Sequence, residues 1–289
     1  MILWRGETEA EVGFKAELAR LGYPARYTVV NADQDVRQLG RILAELQPRL
    51  EEFDYIYTFG TTVSRRARLV IRNRTPQIFN VVTDPVDGGI VDSMESPGGN
   101  ISGVSDAVPV GQQLGSSLEL LDISRLGILF NPREKNSLIV RKALYDYART
   151  HDLEVIDLRS PPVSEMLQGN LEKLVNQEIR VDGVYLPPDS FLVSNAKVIG
   201  EQLRRARLKS IGSVREYIKH GVLIGAVVDY YQLGSAAARI VDRHRRGEKL
   251  ENISVATPDR TRLVINKTTS GMLGIVLPEF ISESAEFVD

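Results

Sequence analysis

The sequence predicts an α/β protein made of two lobes, each a doubly wound parallel sheet. Three observations predict it. Short apolar, β-branched runs alternate with segments of helical spacing, joined by short connections. The strand-like runs are continuously apolar, as expected when helices cover both faces of a sheet. The rhythm restarts after about residue 105, and 289 residues are comfortable for two cores.

In order, residues 1–4 read as a strand and 7–21 as a helix, with Val12, Ala16 and Ala19 at helical spacing and Gly22 as a stop signal. Residues 25–30 read as a strand. Asn31 and Asp33 are expected to cap a helix over 36–50. Strand 55–59, the turn Gly60-Thr61-Thr62 and helix 63–72 follow, then strand 78–82. Residues 87–94 fit one short helical segment, Ser96-Pro97-Gly98-Gly99-Asn100 a tight turn, and 101–104 a strand. Residues 105–109 read as a hinge.

The second series repeats the pattern. Helices are expected at 110–121, 134–150, 164–177, 191–206, 213–220 and 231–246, and strands at 126–130, 153–158, 183–186, 210–212 and 222–228. A last strand at 263–265 and a last helix at 268–273 close the chain. No linker is long enough to make the lobes independent.

Composition narrows the function. An apolar fraction of 43% and a charged fraction of 26% are those of an ordinary globular protein, and the net charge of -2 argues against nucleic acid as the main partner. No apolar run approaches the roughly 18 residues of a membrane span. Met1 leads straight into Ile2-Leu3-Trp4, so the compartment is not readable from this end. Cysteine is absent, which excludes disulfides and thiolate catalysis. His151, His220 and His244 match no metal-ligand spacing, so no metal or cofactor is expected. Phosphate-binding and dinucleotide-binding glycine motifs, HExxH and GxSxG are all missing, and no catalytic residue is assigned. The basic runs Arg65-Arg66-Ala67-Arg68 and Arg243-His244-Arg245-Arg246 lie in helical stretches, where solvated faces are the ordinary explanation.

The candidate binding residues sit where strands end, since open α/β sheets bind ligands beyond their carboxyl edges. Gly60, Thr61 and Thr62 present helix N–H groups and hydroxyls suited to an anion, against plain capping. Thr83 and Asp84 end the strand 78–82. Asn131 and Asn136 form a comparable turn. Asp189 and Ser190 open the helix after Pro187-Pro188, with simple N-capping as the rival reading. Asp229 follows a buried strand and is the favoured anchor for a ligand ammonium, with Tyr230 as an aromatic wall or cation–π face. Arg5 suits a carboxylate or is an ordinary surface residue. Tyr57, Phe59 and Tyr185 are further wall candidates.

The stretches NVVTDPVDGGIVDSMESPGGNISGVS, FNPREKNS, LPPDSFLVSN, GAVVDYYQLG and INKTTSGMLGIVLPE, in that order, resemble the ABC transporter substrate-binding protein family that includes tryptophan/tyrosine-type binding lipoproteins. The resemblance spans essentially the whole chain. It implies a type I periplasmic binding protein fold, in which two lobes close on a small molecule and three chain segments cross a hinge. It places residues 1–105 and 230–253 in one lobe and 106–229 and 254–289 in the other. It carries the family's cleft turns onto the residues just named. It implies a small-molecule ligand, often an amino acid, an ABC permease as partner, and a monomer in the periplasm or anchored outside the membrane. A ligand-sensing module on the same fold is the alternative. An enzyme ranks third, for want of a nucleophile–base pair.

Overall fold

The computed structural model describes residues 1–289 apart from the side chains of Ser116 and Glu119. The chain divides into two compact units. One comprises Met1–Ala107 and Asp229–Asp259, the other Val108–Val228 and Arg260–Asp289, so the chain passes from one to the other three times.

The first unit is built on a five-stranded parallel sheet of order β2-β1-β3-β4-β5: β1 (Ile2–Leu3), β2 (Val30–Asn31), β3 (Ile56–Phe59), β4 (Gln77–Val82) and β5 (Ile101–Ser105). Helix α1 (Glu9–Arg20) starts with a capping box: Thr8 Oγ1 accepts from the Ala10 N–H at 3.2 Å and Glu11 accepts from the Thr8 N–H at 2.7 Å. The expected helix over 36–50 is shorter. It runs as α2 (Val36–Leu46) and tightens into a 3-10 turn over Gln47–Glu52, where Pro48 removes a backbone donor. Asp35 caps it, not Asn31 or Asp33; Asn31 instead holds the turn after β1 by accepting from the Gly6 N–H at 3.0 Å. Helix α3 (Thr61–Ile71) follows β3. Residues 87–94 form turns, not a helix: the Asp84 carboxylate takes the Val86 and Asp87 N–H groups, and Gly89 turns with φ +68°.

Strand β4 carries an extra residue relative to β5. Phe79 pairs with Gly103 and Val82 with Ser105, a bulge that leaves Val81 at φ +54°, rare for a β-branched side chain. The bulge re-aims the strand's end, where Thr83 and Asp84 lie.

The second unit holds a seven-stranded sheet of order β12-β11-β10-β9-β8-β6-β7: β6 (Arg125–Phe130), β7 (Glu154–Arg159), β8 (Gly183–Leu186), β9 (Lys209–Gly212), β10 (Ile224–Val227), β11 (Arg262–Asn266) and β12 (Glu286–Val288). All pairs are parallel except β10 with β11. Helix α4 (Val110–Leu121) enters the unit, and α5 (Lys135–Ala148) and α6 (Ser164–Val175) follow β6 and β7. The helix expected over 191–206 divides into α7 (Ser190–Ser194) and α8 (Ala196–Arg205), where the Asn195 side chain bonds the Phe191 carbonyl at 2.8 Å. Helix α9 (Arg215–Lys219) precedes β10, and α11 (Lys267–Leu273) follows β11. The C-terminal α12 (Glu279–Ser284) and β12 had no counterpart in the expected elements.

Helix α10 (Tyr230–Arg245) returns to the first unit, where it packs against α1. The contact is close enough that a Cβ on Gly234 would stand 1.9 Å from the Ala10 carbonyl oxygen, and one on Gly13 would stand 2.1 Å from that of Tyr231. The return also sets the unit's limits. Residues through Asp259 stay with the first unit rather than leaving at 253, because Ala256 bridges to Val104 and exchanges backbone bonds with Gly103 and Ser105. Asp229 belongs with this unit because it caps α10, and the earlier passage falls after Ala107 rather than Ser105.

The first five strands of the second unit, β6 to β10, stand in the order second, first, third, fourth, fifth, which is also the order of β1 to β5. Each sheet therefore reverses its winding beside its own first strand, between β1 and β3 and between β6 and β8. In such sheets the crevice at that reversal is where ligands bind.

Candidate ligand-binding site

In the first unit the reversal brings together Arg5, beyond β1, and Gly60 and Thr61, beyond β3. The Arg5 guanidinium lies 5.6 Å from the Phe59 ring centroid, and Phe59 meets Tyr230 edge-on at 6.5 Å. Arg5 also hydrogen-bonds the Tyr230 hydroxyl. Burial raises the pKa of that hydroxyl, and the Asp106 charge adds to the effect.

Asp106 was not anticipated as a site residue. It is 7% exposed, its N–H donates to the Val82 carbonyl at 3.2 Å, and its carboxylate accepts from the Thr83 side chain. Its Oδ1 is buried with no hydrogen-bond partner. Burial pushes the carboxyl up to about 6, opposed by the Thr83 hydrogen bond and more weakly by the Arg5 charge. Its signal is present in the sequence, a carboxylate directly after the β5 run, as Asp229 stands after the β10 run.

Gly60 takes φ +83° to start α3, a conformation glycine adopts without a Cβ clash. Its N–H donates to the Asn80 carbonyl at 2.9 Å, which fixes the turn against β4. The first N–H groups of α3, from Thr61 onward, have no acceptor within the helix. The Thr61 Oγ1 is buried without a partner, while Thr62 is half-buried. Asp84 is occupied by its own turn, and Asp229 is exposed and caps α10 through the Gln232 N–H at 3.2 Å.

Beneath this edge lies a sealed network. Glu11 is fully buried and accepts from the Tyr57 hydroxyl at 2.6 Å, and Asn80 donates to that same hydroxyl at 3.0 Å. Burial raises the Glu11 pKa, while the Tyr57 and Thr8 hydrogen bonds hold it back. Tyr57 is thus a core residue rather than a wall, and so is Tyr185, fully buried in the second unit's core.

In the second unit the reversal gathers Asn131, Asn136, Asp189 and Ser190. Asp189 accepts from the Asn131 N–H at 3.1 Å and the Leu192 N–H at 3.0 Å, so it both ties β6 to β8 and caps α7. Burial raises its pKa. Glu134, also unanticipated, accepts from the Ser190 N–H at 2.9 Å and the Ser190 hydroxyl at 2.7 Å. The Asn136 amide donates to the Pro188 carbonyl. Among the described residues no cluster of three or more metal-ligating side chains occurs, and no helix is long and apolar enough to cross a membrane.

The family model described as ABC transporter substrate binding protein matches residues 5–288. The chain belongs to that family. This substrate-binding protein is 29% identical over 266 residues to a tyrosine-binding protein of Clostridioides difficile, covering 90% of this chain and 75% of the relative. A Streptococcus pneumonia ABC domain solved in complex with L-Trp superposes with a TM-score of 0.89 at 22% identity, covering 100% of this chain and 99% of that one. A ligand-free, open substrate binding protein with adhesive properties from Clostridium difficile superposes at 0.73 with 24% identity, covering 100% and 98%. Two parallel-sheet units of this kind make the substrate-binding protein a type I periplasmic binding protein by fold.

Proposed function

We propose that this protein captures an amino acid, with an aromatic one favoured, outside the cytoplasm and hands it to an ABC permease. The ligand is held by turns beyond the carboxyl ends of the strands, those at the winding reversals together with Thr83 after β4 and Asp106 after β5.

The observation that carries this reading is Asp106. A buried carboxylate oxygen without a donor is costly, and a ligand ammonium is the group that satisfies it. Around it stand the groups an amino acid needs. Arg5 and the α3 N-terminus with Thr61 suit the carboxylate. Tyr230, backed edge-on by the buried Phe59, offers aromatic surface. The tyrosine-binding and L-Trp-bound relatives support the choice of ligand class. Asp106 thereby replaces Asp229 as the ammonium anchor, since Asp229 is engaged as a helix cap.

Melting the protein with L-tyrosine, L-tryptophan and their des-amino acids tests this. At a ligand concentration of 100 Kd the stabilisation is about 2.7 kcal/mol. The amino acids are expected to raise the melting temperature and the des-amino analogues to do so far less. No shift with any amino acid, on folded protein free of co-purified ligand, rejects the reading.

A further inference from the structure

Residues 61–74, TTVSRRARLVIRNR, contain five arginines, no lysine and no acidic residue, in a chain whose net charge is -2. Helix α3 buries Val63, Ser64, Ala67 and Ile71 against its unit. At 100° per residue, Arg65, Arg68 and Leu69 share an outward arc of roughly 100°, with Arg66 beside it. Leu69 is 70% exposed in the middle of this face. Arg72 and Arg74 have a local role, donating to the Leu69 and Val70 carbonyls at 3.4 and 3.3 Å near the helix end. Arg65, Arg66 and Arg68 have no such role, and no carboxylate pairs with them among the described residues. Helix α2 packs beside α3 and carries exposed Arg37 and Arg41, of which Arg37 pairs with Asp35 at 3.8 Å.

We propose that this face of α3 rests on the anionic phospholipid surface of the membrane beside which the protein works. The proposal rests on the reading above that the protein serves a membrane permease. Charge complementarity favours lipid phosphate as the partner. Arginine forks pair phosphate oxygens two at a time, and the stretch uses arginine throughout. An isolated exposed leucine between the cations is placed to enter the headgroup layer, as on helices that lie in a membrane interface. The face is a single helix surface and needs no shaped partner, unlike a protein contact, which requires matched relief.

Co-sedimentation of the full chain with vesicles tests it. Binding to phosphatidylcholine–phosphatidylglycerol vesicles, abolished by salt and absent with phosphatidylcholine alone, is the expected result. At about fivefold per cation, the triple variant Arg65→Gln, Arg66→Gln, Arg68→Gln should partition about a hundredfold more weakly. Its circular dichroism and its melting shift with L-tyrosine should match the parent, since the buried face is untouched. Equal binding to both vesicle types, or no loss in the triple variant, overturns the proposal. So does retention only by membranes carrying the permease, which points to an acidic protein surface instead. An absent melting shift with intact vesicle binding rejects the ligand reading alone.

Discussion

Asp106 enters a buried site with one oxygen held by Thr83 and the other unsupplied. Its pKa rises from 3.8 to about 6, so between these values the folded chain keeps a proton that the unfolded chain has lost. Stability without ligand therefore falls as pH climbs through that window and levels off above it, by about 3 kcal/mol at 1.36 kcal/mol per unit. Asp106→Asn removes the dependence. It should melt above the parent at pH 7.5 and alongside it at pH 4, as followed by circular dichroism. Ligand binding should run the other way: a cationic ammonium needs the ionised carboxylate, so affinity should drop below about pH 6. An affinity flat with pH, or unchanged in Asp106→Asn, removes Asp106 from the site. The residue types were legible here, and most of the named turns do sit at strand ends. Which carboxylate keeps a buried oxygen free was not legible, because Asp106 and Asp229 follow buried strands alike; burial at Asp106 and the exposed helix cap at Asp229 separate them.

Helices and strands were legible where periodicity ran long, and less so where local chemistry competes. Pro48 cut α2 short and Asn195 broke the helix expected over 191–206. The bulge at Val81 has no sequence signal, since valine favours the extended conformation and takes φ +54° only because the neighbouring strands hold it there. The α1–α10 contact is the clearest case of an element pair set by missing side chains. Gly234→Ala would drive a Cβ into backbone atoms of Ala10 and Phe14. Backbone cannot swing aside as a side chain can, so a loss of about 2 kcal/mol is expected, read as a lower urea midpoint. An unchanged midpoint would show that the two helices separate freely.

For the whole molecule, the proposed function makes one ligand answerable to two sets of turns. Hydrogen exchange with and without L-tyrosine should show protection at residues 60–62, 83–84 and 106 and also at 131–137 and 189–190. Protection confined to one set would mean that one unit binds alone. The repeated order of β1–β5 and β6–β10 supplies the reason to expect both, since each sheet reverses its winding once and residues 60–62, 131–137 and 189–190 fall at those reversals, with 83–84 and 106 at the ends of the neighbouring β4 and β5.

The sequence by itself determined the class of fold, the two successive βα series and the turns at which a ligand is sought. Apolar periodicity and capping residues act within a few positions of the chain, so they can be read along it. The tertiary structure alone decided strand order, the extent of each unit, the close helix pair and the buried Asp106 oxygen left without a donor. Those depend on which distant backbone groups meet: Ala256 against Val104, Ala10 against Gly234, Val82 against Asp106.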